Sequence, residues 1–132
     1  MVENTKYLFV VDSSFVLAFL LDEGNTEVEL IFEKHAKHEV KFISVSLLKY
    51  EVANSLRTKI LRKKISKSKT LLLYKNFKEL DIVEEAVDYF EVLKSAILNN
   101  LSFYDCSYLY LAKQQKAKLF HEIVSRKKLL LG

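Results

Sequence analysis

The chain has 132 residues, of which 50% are hydrophobic and 29% are charged, and its formal net charge is +4. This length allows one domain with a buried core, predicted over residues 1–132, and the high apolar fraction excludes a disordered chain. No apolar run approaches the roughly 18 residues that a membrane span requires, and the acidic start at Glu3 is unlike a signal peptide. We therefore expect a cytoplasmic protein without a membrane anchor.

The predicted elements alternate between strands and helices. In chain order they are a strand at 7–11, helices at 15–21 and 26–38, a strand at 40–45, helices at 47–64 and 66–77, a strand at 80–83, helices at 85–98 and 102–113, and a strand at 118–124. Ser46 and Ser102 are expected to cap the helices that follow them. The alternation predicts an α/β domain, with a mostly parallel sheet covered by helices on its faces. In such sheets, functional groups collect at the carboxyl ends of the strands.

Three acidic residues stand in apolar surroundings at the ends of these elements. Asp12 directly follows the first strand, where it could cap the next helix, although Ser13 and Ser14 could also do so. Glu51 falls inside the apolar stripe of its helix, so its carboxylate needs a cation, a metal or a shifted pKa.

A salt bridge to Lys49, to Arg57 or to a base elsewhere in the fold could supply the partner of Glu51. Asp105 lies three residues after Ser102, a spacing that also fits a capping box. Taken together, carboxylates at three separate elements suit Mg²⁺ or Mn²⁺, which prefer oxygen ligands.

The charges along the chain are strongly segregated. Residues 52–78 carry nine basic and no acidic side chains, whereas residues 79–91 carry six acidic and no basic ones. The basic segment could be a solvated helix end, could face an acidic partner, or could attract phosphates. The candidate phosphate-binding residues are Arg57, Lys59, Arg62, Lys63 and Lys64.

The three acidic motifs together resemble the PIN-domain family and, within it, the VapC-like toxin ribonucleases. The motifs are Val-Val-Asp-Ser-Ser at 10–14, Tyr-Glu-Val-Ala-Asn-Ser-Leu at 50–56 and Tyr-Asp-Cys-Ser-Tyr-Leu-Tyr-Leu-Ala at 104–112. The resemblance implies a three-layer α/β/α sandwich in which Asp12, Glu51 and Asp105 hold one or two divalent ions. It further implies that Ser13 supports this cluster, that the protein cleaves RNA with metal-activated water, that a small antitoxin occludes the site, and that the protein is a homodimer.

This chain departs from the family's pattern at its last motif. Many members carry a fourth acid after the last core strand, and here Ile123 occupies that position. Glu122 is a weak substitute, because strand alternation directs it away from the side that Ile123 faces. A catalytically degenerate PIN domain that binds RNA or a protein therefore remains an alternative, as does a metal-dependent phosphohydrolase acting on small molecules.

Several other residues have ordinary structural interpretations. His35 and His38 have a metal-compatible spacing, but a polar helix end explains them better. The single cysteine, Cys106, excludes an internal disulfide and is expected to pack in the core. Three tyrosines on the last helix, Tyr104, Tyr108 and Tyr110, could stack on bases, although core packing is the more common use.

Overall fold

A computed structural model describes residues 7–120, and within that range the chain forms four strands and six helices. The strands are β1 (Leu8–Val11), β2 (Lys41–Ser44), β3 (Val83–Glu84) and β4 (Lys118–Phe120). The helices are α1 (Ser13–Leu20), α2 (Thr26–Ala36), α3 (Leu47–Leu61), α4 (Lys67–Lys78), α5 (Tyr89–Asn99) and α6 (Phe103–Gln115). The predicted alternation of strands and helices is therefore confirmed.

The strands form one parallel sheet in the order β3-β2-β1-β4. Helices flank this sheet in an α/β/α sandwich, as the sequence predicted. The chain extends the sheet from β1 through β2 to β3, and then returns to the other side of β1 to form β4. The strand order consequently reverses beside β1, and such a switch point opens a crevice at the carboxyl ends of the strands.

The core consists of a main cluster and a smaller one. Val10 and Val11 of β1 are fully buried, as expected for a central strand covered on both faces. A set of aromatic rings packs between α1, α2 and β2, including Phe32 stacked on Phe19 with ring centres 4.0 Å apart. The smaller cluster lies between α5 and α6 and contains Cys106, which is buried as the sequence predicted.

Several element boundaries differ from the predicted ones for identifiable reasons. The predicted strand at 80–83 shrinks to Val83–Glu84, because Asp81 has a left-handed backbone with φ of 57° that a strand does not accommodate. The predicted helix at 85–98 begins only after Asp88, whose carboxylate accepts hydrogen bonds from the backbone of Phe90 and Glu91.

The long helix α3 begins at Leu47 as predicted, but its cap and its end differ from the prediction. The prediction that the Ser46 hydroxyl caps it was wrong, since Ser46 has a helical backbone and makes no side-chain cap bond. The helix ends at Leu61 rather than at residue 64, and Lys63 has a positive φ of 56°. Most of the last predicted strand, 121–124, lies outside the described residues.

Candidate active site

Asp12 stands at the switch point of the sheet, directly after the central strand β1. Its Oδ1 accepts hydrogen bonds from the backbone N–H of Phe15 at 3.1 Å and from the hydroxyl of Ser14 at 2.9 Å. The helix-cap interpretation of Asp12 is therefore confirmed. The hydroxyl that donates to it belongs to Ser14, whereas the sequence had assigned a supporting role to the adjacent Ser13.

Burial gives the Asp12 carboxyl unusual electrostatics. Only 8% of the residue is exposed, and burial is the largest cause of a carboxyl pKa that is raised from 3.8 to about 7. The hydrogen bonds from Phe15 and Ser14 oppose this shift, and the negative charge of Glu51 contributes to it. Carboxyl groups with a strongly raised pKa are typical of functional sites. A bound cation would lower the free-energy cost of ionising the buried Asp12 carboxyl.

Glu51 lies in the first half of α3 and reaches the neighbouring helix α6. The hydroxyl of Tyr108 donates a 2.6 Å hydrogen bond to Glu51 Oε1. A salt bridge to Lys49 is excluded, because the Lys49 ammonium pairs with Glu84 at 3.0 Å instead. No basic side chain within residues 7–120 forms an ion pair with Glu51, so the partner of this half-buried carboxylate is a tyrosine.

Tyr108 is the residue whose hydroxyl all three acidic side chains influence. Burial raises the pKa of its hydroxyl above the usual range, and its bond to Glu51 adds to that effect. The charges of Asp12 and Asp105 raise the pKa of Tyr108 as well, so both carboxylates act on the same hydroxyl as Glu51 does. Three carboxylates from elements far apart in the sequence thus influence the same hydroxyl group.

Asp105 occupies the first turn of α6 and is exposed. Its backbone N–H donates to the Ser102 hydroxyl at 2.9 Å, which confirms Ser102 as the helix cap. The reciprocal bond of a capping box is absent among residues 7–120, so the carboxylate itself is not used for capping.

The buried hydroxyl of Ser44 holds the strand ends in register beside the site. It donates a 2.6 Å hydrogen bond to the carbonyl of Val11, the residue before Asp12. Sequence reasoning missed both Ser44 and the role of Tyr108. The spacing of Asp105 and Tyr108, one helical turn apart on α6, was the available signal for the tyrosine.

The acidic residues match a divalent ion in ligand type but do not form a ready-made ligand shell. Within residues 7–120, no three His, Cys, Asp or Glu side chains lie close enough together to hold a metal ion. The predicted substitute ligand, Glu122, lies outside the described residues. Among the described acids, the buried carboxyl of Asp12 is the feature that a hard cation would stabilise.

Two depressions adjoin the part of the structure around Asp12, Glu51 and Asp105, which is called the acidic region below. A groove of about 340 Å³ includes Ser14 and is bordered by Lys59, Arg62 and Lys64. Of the other two predicted phosphate-binding residues, Arg57 lines a separate depression beside Tyr50, and Lys63 is exposed near the end of α3.

The second depression is a cleft of about 590 Å³. Its lining includes Tyr50 and Tyr104, the residues that directly precede Glu51 and Asp105 in the sequence.

The histidines have structural surroundings. His35 stacks on Phe42 with ring centres 4.0 Å apart, and its Nε2 lies 2.7 Å from the carbonyl oxygen of Leu80. This contact attaches α2 to the segment before β3. The structural interpretation of His35 is therefore favoured over a metal-binding one.

A parallel α/β sandwich with a buried acidic side chain directly after its central strand has this group where α/β proteins bind their ligands. The chain belongs to the PIN domain family, whose profile matches residues 9–122. PIN domains are generally metal-dependent nucleases that act on RNA, so the chain belongs to a family of hydrolases.

The fold is also similar to a known crystal structure, that of PAE2754 from Pyrobaculum aerophilum. The TM-score is 0.72 at 22% sequence identity, with 98% of this chain and 96% of that chain covered. At this identity the similarity supports the fold alone. No curated protein matches the sequence. Among the described residues, no helix has the length and apolar character needed to cross a membrane.

Proposed function

We propose that this protein is a divalent-metal-dependent endoribonuclease and acts as the toxin of a toxin–antitoxin pair. The observation that carries the proposal is the buried carboxyl of Asp12 at the carboxyl end of the central strand β1. Membership in the PIN family supports nuclease chemistry, and the buried carboxyl of Asp12 supports a cation at this position.

In this proposal Asp12, Glu51 and Asp105 hold Mg²⁺ or Mn²⁺, with Ser13 and Glu122 as supporting residues. The bound ion would supply an activated water and neutralise charge that develops on the scissile phosphate. The chain's own residues prepare the ligands: the Phe15 N–H and the Ser14 hydroxyl fix Asp12, and Tyr108 orients Glu51. Since Asp105 is exposed and makes no capping bond of its own, its side chain is free to turn toward an ion.

The basic groove has the charge that an RNA backbone requires. Lys59, Arg62 and Lys64 border it, and it includes Ser14, whose hydroxyl contacts Asp12. Phosphates bound along these side chains would lead the RNA strand toward Asp12, with an affinity that falls as salt rises. Arg57 and Lys63 would add to the surrounding positive field.

Cleavage of RNA by matched variants tests the catalytic assignment. We expect Asp12→Asn, Glu51→Gln and Asp105→Asn each to abolish cleavage of a labelled RNA in the presence of Mn²⁺. Asp88→Asn is the matched control, because Asp88 is an exposed cap of α5 and is not one of the three proposed metal ligands. Normal cleavage by all three site variants would overturn the assignment.

Ile123 at the position of the fourth acid favours the alternative, a catalytically degenerate PIN domain. Calorimetry with Mn²⁺ distinguishes this inactive module from the enzyme. Mn²⁺ binding that disappears in Glu51→Gln supports the enzyme, whereas no binding to the wild type supports an inactive module.

The toxin role is tested in cells, where induced wild-type protein should arrest growth and Glu51→Gln should not. Equal growth with either protein would contradict the toxin role without affecting the nuclease assignment.

The homodimer is also part of the proposal. Phe90, Leu93 and Ile97 form an exposed apolar stripe on α5 that a second copy could cover. Light scattering should then give twice the chain mass of 15.4 kDa. A solution mass of 15.4 kDa would contradict the dimer.

A further inference from the structure

The cleft beside the acidic region has walls of exposed aromatic rings. Tyr50, Tyr89 and Tyr104 are 67%, 63% and 59% exposed, and all three line this cleft of about 590 Å³ together with Phe103. Exposed apolar side chains that cluster in a groove mark an interaction or ligand-binding surface. Of the three tyrosines that the sequence suggested for base stacking, only Tyr104 is exposed and lines this cleft; Tyr108 is buried against Glu51.

Polar groups of the cleft are available to a ligand. The Ser46 hydroxyl caps no helix, and within residues 7–120 it makes no other hydrogen bond. The half-buried Glu85 uses its backbone N–H to bond the carbonyl of Ser44, while its carboxylate has neither a hydrogen bond nor an ion pair in the described range. By contrast Glu84 is already paired with Lys49. The cleft therefore presents one unneutralised carboxylate and one hydroxyl between aromatic rings.

We propose that this cleft binds an unpaired RNA base next to the cleavage site and selects guanine. This inference rests on the proposed function, since it names the part of the substrate that a second subsite would recognise. Aromatic rings stack on bases of any sequence, and groups at the pocket wall distinguish the base edges. A carboxylate accepts two parallel N–H bonds from the N1 and N2 edge of guanine, but it faces a single donor between two carbonyl oxygens on uracil.

The position of the rings in the sequence fits a base adjacent to the scissile phosphate. Tyr50 and Tyr104 are each one residue from a proposed ligand, Glu51 and Asp105, and neighbouring Cα atoms are about 3.8 Å apart. Because adjacent residues belong to the same turn of a helix, a base stacked on these rings would belong to a nucleotide close to the scissile phosphate.

The charges around Tyr50 favour RNA over a basic peptide as the occupant. Tyr50 also lines a depression that carries Lys49 and Arg57, and the Lys49 ammonium lies 6.0 Å from the centre of the Tyr50 ring. Since Lys49 is already paired with Glu84, Arg57 is the cation that can bind the phosphate of the nucleotide whose base enters the cleft, and it would repel a basic peptide at that edge.

The test uses fluorescence anisotropy of labelled oligouridines in EDTA, where binding is measured without cleavage. Each probe is about ten nucleotides long, a length within the usual site sizes, and differs only in one central base. We expect the wild type to prefer the guanine probe several-fold over the all-uridine probe. Glu85→Gln should remove this preference and leave the affinity for the all-uridine probe within about twofold, because only the edge contact changes.

Changes to the aromatic wall should act on every probe. Tyr50→Leu and Tyr104→Leu should weaken binding between about five-fold and a hundred-fold, whereas Tyr50→Phe should bind as the wild type does. Phe90→Leu is the matched control, since Phe90 is also 67% exposed, does not line the cleft, and leucine keeps an apolar side chain in the α5 stripe.

The possible failures are distinguishable. If the leucine variants bind RNA as Phe90→Leu does while the wild type still cleaves RNA with Mn²⁺, the cleft does not bind bases and this inference falls alone. A wild type without a guanine preference, or a preference that survives Glu85→Gln, would overturn the base selection. A wild type that neither binds nor cleaves RNA would overturn the proposed function together with this inference.

Discussion

Replacing Asp12 by asparagine should stabilise the protein when no metal is bound and the pH is high. The carboxyl of Asp12 is buried, and its pKa rises from 3.8 to about 7 on folding. Because the folded pKa is the higher one, this group favours the folded state fully only below pH 3.8, and the contribution is lost as the pH rises through about 7. Asparagine cannot ionise, yet its side-chain oxygen can still accept the Phe15 and Ser14 hydrogen bonds.

The size of the effect follows from the two pKa values. One pH unit corresponds to about 1.4 kcal/mol, so the separation between 3.8 and about 7 corresponds to about 4 kcal/mol above pH 7. This is an upper value, because water can enter around an ionised carboxylate. The advantage of Asp12→Asn should shrink as the pH falls toward 4, where the wild-type carboxyl is protonated in the folded state.

Urea unfolding in EDTA at pH 8 and at pH 5 measures this difference in the free energy of unfolding. Asp88→Asn is the control, since Asp88 caps α5 through the same kind of hydrogen bond but is exposed. It should change stability little at either pH. The reasoning is refuted if Asp12→Asn is no more stable than the wild type at pH 8. If the proposed metal site exists, added Mn²⁺ should stabilise the wild type at pH 8 but not Asp12→Asn.

Three further substitutions or probes test individual contacts of the structure. Tyr108→Phe removes the 2.6 Å hydrogen bond to Glu51 and should weaken Mn²⁺ binding, measured by calorimetry, about 10- to 100-fold. The circular dichroism spectrum should not change. An unchanged Mn²⁺ affinity would show that Tyr108 does not act on the metal site. Ser44→Ala leaves the Val11 carbonyl without its donor and should lower the free energy of unfolding by about 1–2 kcal/mol, and an unaltered urea midpoint would contradict this role. Cys106 is 1% exposed, so a thiol reagent should label it only as fast as the α5–α6 region opens; immediate labelling of the native protein would show that the small core is not closed.

The architecture was predictable because its signals are local. The apolar run before Asp12 marked a strand covered on both faces, and Val10 and Val11 are indeed fully buried. Helix caps at Asp12 and Ser102 were likewise readable, because a cap depends on a few neighbouring residues. The Ser46 prediction failed because the chain enters α3 with a helical backbone, which a favourable residue type does not reveal.

The contacts within the site were less predictable because they join distant parts of the chain. The apolar stripe correctly indicated that Glu51 needs a partner, but the nearby candidate Lys49 pairs with Glu84, which is 35 residues away. The actual partner, Tyr108, lies on another helix, 57 residues from Glu51. Only the packing of α6 beside α3 decides between such candidates, and no single segment encodes that packing.

The order of the strands in the sheet explains why the carboxyl of Asp12 is buried. Since β1 lies between β2 and β4, its carboxyl end is covered on both sides by neighbouring strands, and Asp12 is withdrawn from water as soon as the strand ends. An exposed carboxylate such as that of Asp105 pays little for its charge and gains little from a cation. A buried one gains much more, because the ion replaces lost hydration. The burial that weakens the empty fold at high pH is therefore the same property that would give a divalent ion its affinity, and stability and function are opposed at this one residue.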